Sequence, residues 1–101
     1  MKITSKRRAY LRKLANKEVA IIRVGKDGIS ENLIEALNKA LTARELVKIK
    51  VLNNSEEDIK KVGYEIAEKV KAELIHILGK TAVFFRENEE KPIISTELKG
   101  I

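Results

Sequence analysis

Apolar residues recur along this sequence of 101 residues in two alternating spacings, and no other feature restricts its fold as much. Recurrence at every third or fourth position predicts three amphipathic helices, at 5–16, at 30–43 and from Ser55 to about Lys71. Recurrence at every second position, or a short unbroken apolar run, predicts four strands, at 19–24, 46–52, 73–78 and 81–86. The predicted order of elements is therefore α-β-α-β-α-β-β.

This order of elements specifies a fold class. Each of the first two strands is followed by a helix and a further strand, and such crossovers between parallel strands are right-handed. Gly79-Lys80 joins the last two strands as a two-residue hairpin, and glycine in first place favours a type II′ turn. We therefore predict an α/β domain with a mixed four-stranded sheet. Two crossover helices cover one face and the first helix covers the other, while the strand order stays open.

Capping residues mark where the predicted helices begin. Thr4 or Ser5 can cap the first helix, and Ser30 can cap the second. The third helix is expected to start at a cap on Ser55, because three acids then occupy its first turn, where the helix dipole favours anions. These acids are Glu56, Glu57 and Asp58.

The length and the residue types present limit the class of protein. A chain of this size fits one domain, which we place at 1–86, followed by a loosely held tail at 87–101 with Ile93-Ile94 available to a sheet edge. The sequence has no cysteine, which excludes disulfides, thiolate nucleophiles and cysteine-based zinc sites and fits a cytoplasmic location. It has no apolar stretch of the roughly 20 residues that a membrane span needs, and its start does not resemble a secretory signal.

Positive charge is concentrated at one end of the chain. The net charge is +6. Residues 1–17 hold seven basic residues and no acid, whereas the remaining 84 residues hold 14 basic and 15 acidic ones. Charge gathered in this way attracts a polyanion, whereas evenly mixed charge would only favour solubility. The basic residues are Lys2, Lys6, Arg7, Arg8, Arg12, Lys13 and Lys17, of which Arg7 alone falls within the apolar arc of the helix.

A glycine-flanked loop lies between the first strand and the second helix. Its residues are Gly25-Lys26-Asp27-Gly28. Two glycines permit positive φ and let a bulky group approach the backbone, while the start of the next helix offers free N–H groups. Lys26 adds a positive charge. The loop is therefore a candidate phosphate-binding site, although the same pattern also occurs in ordinary strand-to-helix turns.

The sequence offers little for catalysis. Gly79-Lys80-Thr81 resembles the end of a nucleotide-binding phosphate loop, but that motif needs glycine at the position of Leu74. The single histidine, His76, lies among apolar residues and lacks the partners of a metal site or a catalytic triad. No pair of carboxylates stands out. We expect no enzymatic activity, no cofactor and no metal.

Aromatic residues are too few and wrongly placed for a base-stacking sheet. Phe84 and Phe85 are adjacent in a strand, so their side chains point to opposite faces. Tyr10 falls on the apolar side of the first helix. Binding of a nucleic acid is therefore expected to rest on charge and shape, with little recognition of bases.

Four blocks of the sequence resemble the CRM domain family (chloroplast RNA splicing and ribosome maturation), and above all its free-standing YhbY-type members. The blocks are TSKRRAYLRKLANK, VGKDGIS, ARELVKIKVL and AELIHILGKTAVFFR, in this order within 4–86. The resemblance implies a fold like the C-terminal domain of translation initiation factor three. It also implies an RNA-binding protein that acts on large-subunit ribosomal RNA or a pre-ribosomal particle, without a membrane or small-molecule partner.

The resemblance also implies which residues bind RNA. The family's GxxG loop falls on Gly25, Lys26 and Gly28, and its basic helix on Arg8, Arg12 and Lys13. Its later basic positions fall on Lys80, after Gly79, and on Arg86. Together with Lys6 and Arg7 of the basic segment, these residues form the predicted interface.

Two positions depart from the family pattern, and three other functions stay open. Asp27 stands where many relatives have an uncharged residue, and Lys80 replaces a more usual arginine, which would lose bidentate phosphate geometry. A small DNA-binding nucleoid-type protein would use the same charges. A protein-interaction module could dock its basic helix on an acidic partner. A nucleotide-using enzyme is the weakest of the three, because of Leu74.

Overall fold

The described residues fold into four helices and four strands, in the predicted order with one helix added at the C-terminal end. The computed structural model describes residues 1–25, 28–52 and 58–101. The elements are α1 Ser5–Ala15, β1 Ile22–Val24, α2 Glu31–Arg44, β2 Leu46–Val51, α3 Ile59–Val70, β3 Glu73–Leu78, β4 Thr81–Phe85 and α4 Ser95–Leu98.

The strands form one mixed sheet in the order β1-β2-β4-β3. β1 pairs with β2 in parallel, and β4 pairs with both β2 and β3 in antiparallel fashion. β1, β2 and β3 therefore all run in the same direction, as two helical crossovers require. The mixed four-stranded α/β fold is confirmed, and the structure supplies the strand order, with β1 and β3 at the edges.

α2 and α3 lie together on one face of the sheet. Leucines of α2 and aliphatic residues of α3 pack there against alternate residues of every strand, among them the fully buried Ile49 and Phe84. Gly63 of α3 makes this contact close, because a Cβ atom at this position would lie 3.2 Å from Leu74 Cδ2. This layer matches the predicted pair of crossover helices.

α1 covers the opposite face, as predicted. Its Leu11 and Ala15 pack with residues of β2, β3 and β4, including Val83 and Phe85. Thr4 caps the helix by accepting a hydrogen bond from the N–H of Arg7 at 3.2 Å. The sheet is thus covered on both sides, which explains why its central strands are almost entirely buried.

The C-terminal segment is held firmly, in contrast to the loose tail that the sequence predicts for 87–101. Leu98 of α4 is fully buried in the core beneath α1. The Tyr10 hydroxyl donates a hydrogen bond to Glu97. The carboxylate of the fully buried Glu45 accepts hydrogen bonds from the main-chain N–H groups of four tail residues, which are Asn88, Ile93, Ile94 and Ser95. Ile93-Ile94 does not extend the sheet.

The first strand is shorter than predicted. β1 begins at Ile22, and the prediction of a strand from 19 is wrong because this stretch connects α1 to the edge of the sheet. Val19 is 76% exposed and Ile21 is 45% exposed. β1 is an edge strand of the sheet. The sequence predicted that this strand would be buried on both faces, but of its three residues only Val24 is buried.

The remaining boundaries follow local chemistry. α2 is capped by Ser30, whose Oγ accepts from the N–H of Leu33 at 3.1 Å, as predicted. α3 is capped by Asp58, whose Oδ1 accepts from the N–H of Lys60 at 3.1 Å. Asp58 therefore lies before the helix and not in its first turn, whereas Ser55, Glu56 and Glu57 fall outside the described residues. Within the described segments, no helix has the length and apolar character to cross a bilayer.

Candidate nucleic-acid interface

The glycine loop closes immediately after β1. The N–H of Gly28 donates to the carbonyl oxygen of Gly25 at 3.0 Å, so the two glycines at the ends of the motif are hydrogen-bonded to each other. Gly28 has a φ of 63°, in the left-handed region that glycine adopts without a steric penalty. α2 then starts at its Ser30 cap. Lys26 and Asp27, on which the predicted phosphate contact depends, lie outside the described residues.

The β3–β4 hairpin lies at the same end of the sheet as this loop. The N–H of Val51 donates to the carbonyl oxygen of Lys80 at 2.7 Å, and the N–H of Leu52 donates to that of Val24 at 2.8 Å. Gly79 has a φ of 60°, while Lys80 is not among the residues with positive φ. This pattern agrees with the predicted type II′ turn. The structure therefore brings the exposed Lys80 close to the glycine loop, around the end of β2.

α1 runs along β3 towards this hairpin. Arg8 contacts the start of β3, whereas Arg12 lies one turn further on, beside His76 in the middle of the strand. Burial lowers the pKa of His76, and the positive charge of Arg12 lowers it further. Arg12 is exposed, as are Lys6 and Lys13. Arg12 is thus an exposed basic residue of α1 that lies nearer the hairpin end of the sheet than Arg8 does.

Arg8 serves the fold. Its Nη1 donates to the carbonyl oxygens of Leu74 and Ile75, at 2.9 and 2.6 Å. The pairing of β3 with β4 shifts register between Leu74 and His76, so Ile75 is an extra residue in the ladder. The guanidinium satisfies carbonyl groups at this bulge, and its hydrogen-bonding capacity is partly used there.

Arg7 also bonds within the protein, which explains its place inside the apolar arc. Its Nη1 donates to the main-chain oxygen of Lys2 at 2.8 Å, and its Nε donates to that of Ile101 at 3.2 Å. The side chain ties the start of the chain to the segment after α4. Arg7, which the sequence assigns to the interface, thus makes structural contacts within the protein.

Arg86 lies at the far end of the sheet and is used for packing. Its N–H donates to the carbonyl oxygen of Glu45 at 2.9 Å. Its guanidinium donates to the Asn38 side chain and carbonyl, to the carbonyl of Val70 and to Thr42 Oγ1, at 2.7–3.0 Å. The strand between Leu46 and Val51 separates Arg86 from the glycine loop by about 17 Å.

The predicted interface residues thus divide into two groups. Gly25, Gly28 and Lys80 lie at one end of the sheet, on either side of the end of β2, and Arg12, Lys6 and Lys13 are exposed on α1. Arg7, Arg8 and Arg86 form hydrogen bonds inside the protein, and Arg86 lies at the far end of the sheet from the loop. The sequence could not distinguish the groups, because the carbonyl partners of these arginines are distant in sequence.

Two exposed cations near the loop were not among the predicted interface residues. Arg23 is the central residue of β1, and Lys50 is its direct neighbour in β2. Both are exposed. The alternation of β2 already places Lys50 on the face opposite the α2 and α3 layer, and Arg23 is the single polar residue of an otherwise apolar run. These two features of the sequence could have identified Arg23 and Lys50 as candidate interface residues.

The α2 and α3 layer offers a less suitable surface for a polyanion. A groove between these helices is lined by three carboxylates and two ammonium groups, so its charges are mixed. They belong to Glu31, Glu35, Glu65, Lys39 and Lys69. Lys39 is moreover paired with Glu35 at 3.2 Å. The positive surface therefore lies on the α1 side and at the hairpin end of the sheet.

Comparisons with known proteins find relatives that match most of the chain. The family model for the CRS1 / YhbY (CRM) domain matches residues 3–86. The chain is 36% identical over 88 residues to the Bacillus subtilis (strain 168) protein named "Probable RNA-binding protein YqeI", covering 87% of this chain and 92% of that protein. It is 26% identical over 91 residues to a Haemophilus influenzae protein named "RNA-binding protein", covering 90% of this chain and 92% of that one.

A solved structure shows the same fold. The solution structure of the Staphylococcus aureus protein SAV1595, described there as a candidate RNA-binding protein, superposes with a TM-score of 0.75 at 38% sequence identity. The match covers 87% of this chain and 92% of that one. The relatives named for RNA binding thus share nearly the whole of the domain that carries the positive surface.

Proposed function

Because this chain belongs to the CRS1 / YhbY (CRM) domain family, we propose that it binds RNA through the hairpin end of its sheet and the exposed cations of α1. The RNA that we propose is large-subunit ribosomal RNA, within an assembling particle in the cytoplasm. The family resemblance supports this target, and the names of the relatives support RNA binding. The proposal assigns no catalytic step to the protein.

One observation carries the proposal: α1 presents cations with no acid in its own sequence, and it runs towards the loop–hairpin end of the sheet. Arg12, Lys13 and Lys6 are exposed. Lys80 lies on the hairpin beside the loop. Each cation that neutralises a phosphate releases condensed counterions, so such a cluster favours a polyanion at physiological salt.

The binding mode is recognition of the backbone and of shape. Phe84 is 0% exposed and Phe85 is 2% exposed, so neither ring can stack on a base. Tyr10 is engaged with Glu97. Phosphate contacts position a protein on nucleic acid but carry little sequence information. We therefore expect affinity that depends strongly on salt and weakly on the order of bases.

A charge reversal in the glycine loop tests the site. Lys26→Asp should weaken binding of structured ribosomal RNA in a filter-binding titration, while the melting temperature stays near that of the wild type. Lys91→Asp, on the C-terminal segment, is the matched control because it makes the same change in net charge. Unaltered affinity of Lys26→Asp would overturn the loop assignment.

The class of partner needs two further measurements. Crosslinking in cells followed by sequencing of the attached RNA should enrich precursor large-subunit RNA, and enrichment of other RNAs would contradict the ribosomal target. Competition between structured RNA and duplex DNA at matched salt should favour RNA. Preference for DNA would support a nucleoid-type protein. A complex in cell extract that survives RNase would support a protein partner.

A further inference from the structure

A row of four side chains crosses the sheet on the face that α1 packs against. Residues paired in a ladder point to the same side of a sheet. Arg23 pairs with Lys50, Lys50 with Thr81, and Thr81 with Leu78. These four residues, one from each strand, form what we call the open row, and Arg23 lies two positions before the glycine loop.

α1 leaves the open row uncovered. The helix packs on the rows behind it, where Leu46, Val83 and Phe85 are buried. In the open row, by contrast, Arg23 and Lys50 are exposed and Leu78 is 69% exposed. Leu46, Ile75, Val83 and Phe85 on the same face are buried, so the open row is an uncovered strip at the hairpin end of this face.

Lys48, two residues before Lys50 on β2, lies on the same face but is partly covered by α1. Lys48 Nζ lies 3.4 Å from the carbonyl oxygens of Ala15 and Glu18, so the end of α1 partly satisfies its charge. Among the ion pairs within the described residues, none involves Lys50 or Arg23. The cations of the open row thus differ from Lys48 in facing solvent.

Two like charges on directly paired strand positions are unfavourable. Neighbouring strands are about 4.8 Å apart, and like charges directly opposite each other destabilise a sheet. A bound anion between Arg23 and Lys50 would turn this repulsion into attraction to both. The charge pattern therefore favours a phosphate over this pair, and Arg23 lies only two residues before Gly25, where the glycine loop begins.

We propose that the open row is a second contact for the RNA backbone, so that one strand of bound RNA passes from the glycine loop across the sheet to the hairpin. Arg23 and Lys50 neutralise backbone phosphates, and Leu78 packs against an unpaired base at the end of the row. A duplex exposes mainly phosphates and sugars, so contact with Leu78 favours an unpaired segment. This inference rests on the proposed RNA binding and names the surface and the form of RNA.

The salt dependence of binding tests the open row. The double variant Arg23→Thr/Lys50→Thr removes both charges, and threonine is a residue that strands accommodate well. The slope of log affinity against log salt for an unpaired RNA should become shallower by about 1.4, from about 0.7 for each lost phosphate contact. Affinity at 0.1 M salt should fall by about tenfold or more. Arg23→Lys/Lys50→Arg, which keeps both charges, should retain the slope.

A matched control removes the same charge elsewhere. Lys69→Ser/Lys91→Ser changes one lysine on the α2 and α3 layer and one on the C-terminal segment, and it should leave the slope unchanged. Leu78→Ser should weaken binding of unpaired RNA by several-fold without changing the slope, and should affect duplex RNA less. Thermal melting of every variant establishes that the fold is intact.

The outcomes separate this inference from the proposed function. If the wild type does not bind RNA, the proposed function fails and the open row fails with it. If the wild type binds RNA but the open-row variant and the control variant show the same loss of affinity and the same change in salt slope, only the role of the open row is refuted. An open-row variant that keeps its RNA affinity but loses an RNase-resistant complex from cell extract would also refute it, in favour of a protein partner.

Discussion

Glu45 Oε1 accepts a hydrogen bond from the main-chain N–H of Ile94 at 2.6 Å, across 49 positions of sequence. The same oxygen accepts from Ile93 and Ser95 at 2.8 and 2.9 Å, and Oε2 accepts from Asn88 at 2.7 Å. Glu45 is fully buried and has a φ of 64°, a backbone region that non-glycine residues seldom adopt. One carboxylate therefore fixes the C-terminal segment to the end of α2.

We expect Glu45→Gln to destabilise the protein. The amide keeps one acceptor but places a donor opposite the N–H of Asn88, which should cost about 2 kcal/mol. For a domain of this size the melting temperature should fall by about 10 °C. Calorimetry and limited proteolysis of the segment after Asn88 measure both effects. Glu90→Gln, an exposed residue of the same segment, serves as the control, and equal melting of the two variants would contradict the role of Glu45.

Stability should also depend on pH through Glu45. Burial alone would raise its pKa, but the hydrogen bonds from Asn88, Ser95 and Ile93 outweigh burial and hold the pKa below the ordinary value of 4.5. A carboxylate with a lowered pKa in the folded state stabilises the protein above its unfolded pKa, and this contribution is lost as the pH falls through the folded pKa. The difference in melting temperature between wild type and Glu45→Gln should thus be constant near neutral pH and shrink below about pH 4. A difference that grows on acidification would contradict the sign.

Arg8 and Arg12 lie one helical turn apart and should respond differently to the same substitution. Arg8→Gln removes the donor that satisfies the carbonyls of Leu74 and Ile75, so we expect a loss of stability of about 1–3 kcal/mol. Arg12→Gln should leave the melting temperature unchanged and make the salt dependence of RNA binding shallower. Melting and filter binding on both variants provide the comparison. Equal effects of the two substitutions on RNA affinity, with neither unfolding, would show that Arg8 also contacts RNA.

Arg86→Lys should affect the fold and not RNA binding. The guanidinium makes four hydrogen bonds to Asn38, Val70 and Thr42, and a lysine ammonium cannot reproduce this planar arrangement. We expect a loss of about 2 kcal/mol in the free energy of unfolding. The salt slope of RNA binding should equal that of the wild type, because the charge is retained and lies away from the loop. Because lysine keeps the positive charge, it could hide a direct contact with RNA. Arg86→Met removes the charge and provides a second test. A shallower salt slope in a folded Arg86→Met variant would show that Arg86 contacts RNA.

Gly63→Val should separate α3 from β3. A single added Cβ would lie 3.2 Å from Leu74 Cδ2 and 3.4 Å from Leu74 Cδ1, and valine adds two further methyl groups to this crowded position. Overpacking of this kind typically costs about 1–3 kcal/mol. Gly63→Ala is the comparison, because its gain in helix propensity of about 1 kcal/mol opposes the crowding. A valine variant as stable as the wild type would show that Leu74 can move aside.

Local signals in the sequence predicted those elements whose ends are determined by nearby residues. Thr4 and Ser30 cap α1 and α2 where the sequence placed the caps, since each accepts a hydrogen bond from a residue three positions later. The alternation in β2 predicted which residues face α2 and α3. The glycine–lysine pair predicted the hairpin, because the positive φ of Gly79 depends on the turn alone.

Features that depend on distant partners were not predictable from the same signals. Nothing near Glu45 indicates that it binds a segment more than 40 residues later, so the tail was expected to be loose. The carbonyls that engage Arg8 are freed by a bulge in β3, which no local pattern marks. The sequence therefore identified the basic residues but could not divide them between the fold and the interface.

The bulge in β3 also affects whether two copies of this protein can pair their sheets edge to edge. β3 is an outer strand of the sheet, and an outer strand invites a strand from another molecule to continue the ladder. Here the bulge interrupts the regular spacing of the hydrogen-bonding groups along that edge, and Arg8 already binds the main-chain carbonyl oxygens of Leu74 and Ile75. The arginine that the sequence assigned to RNA binding therefore makes this edge a poorer template for a further strand.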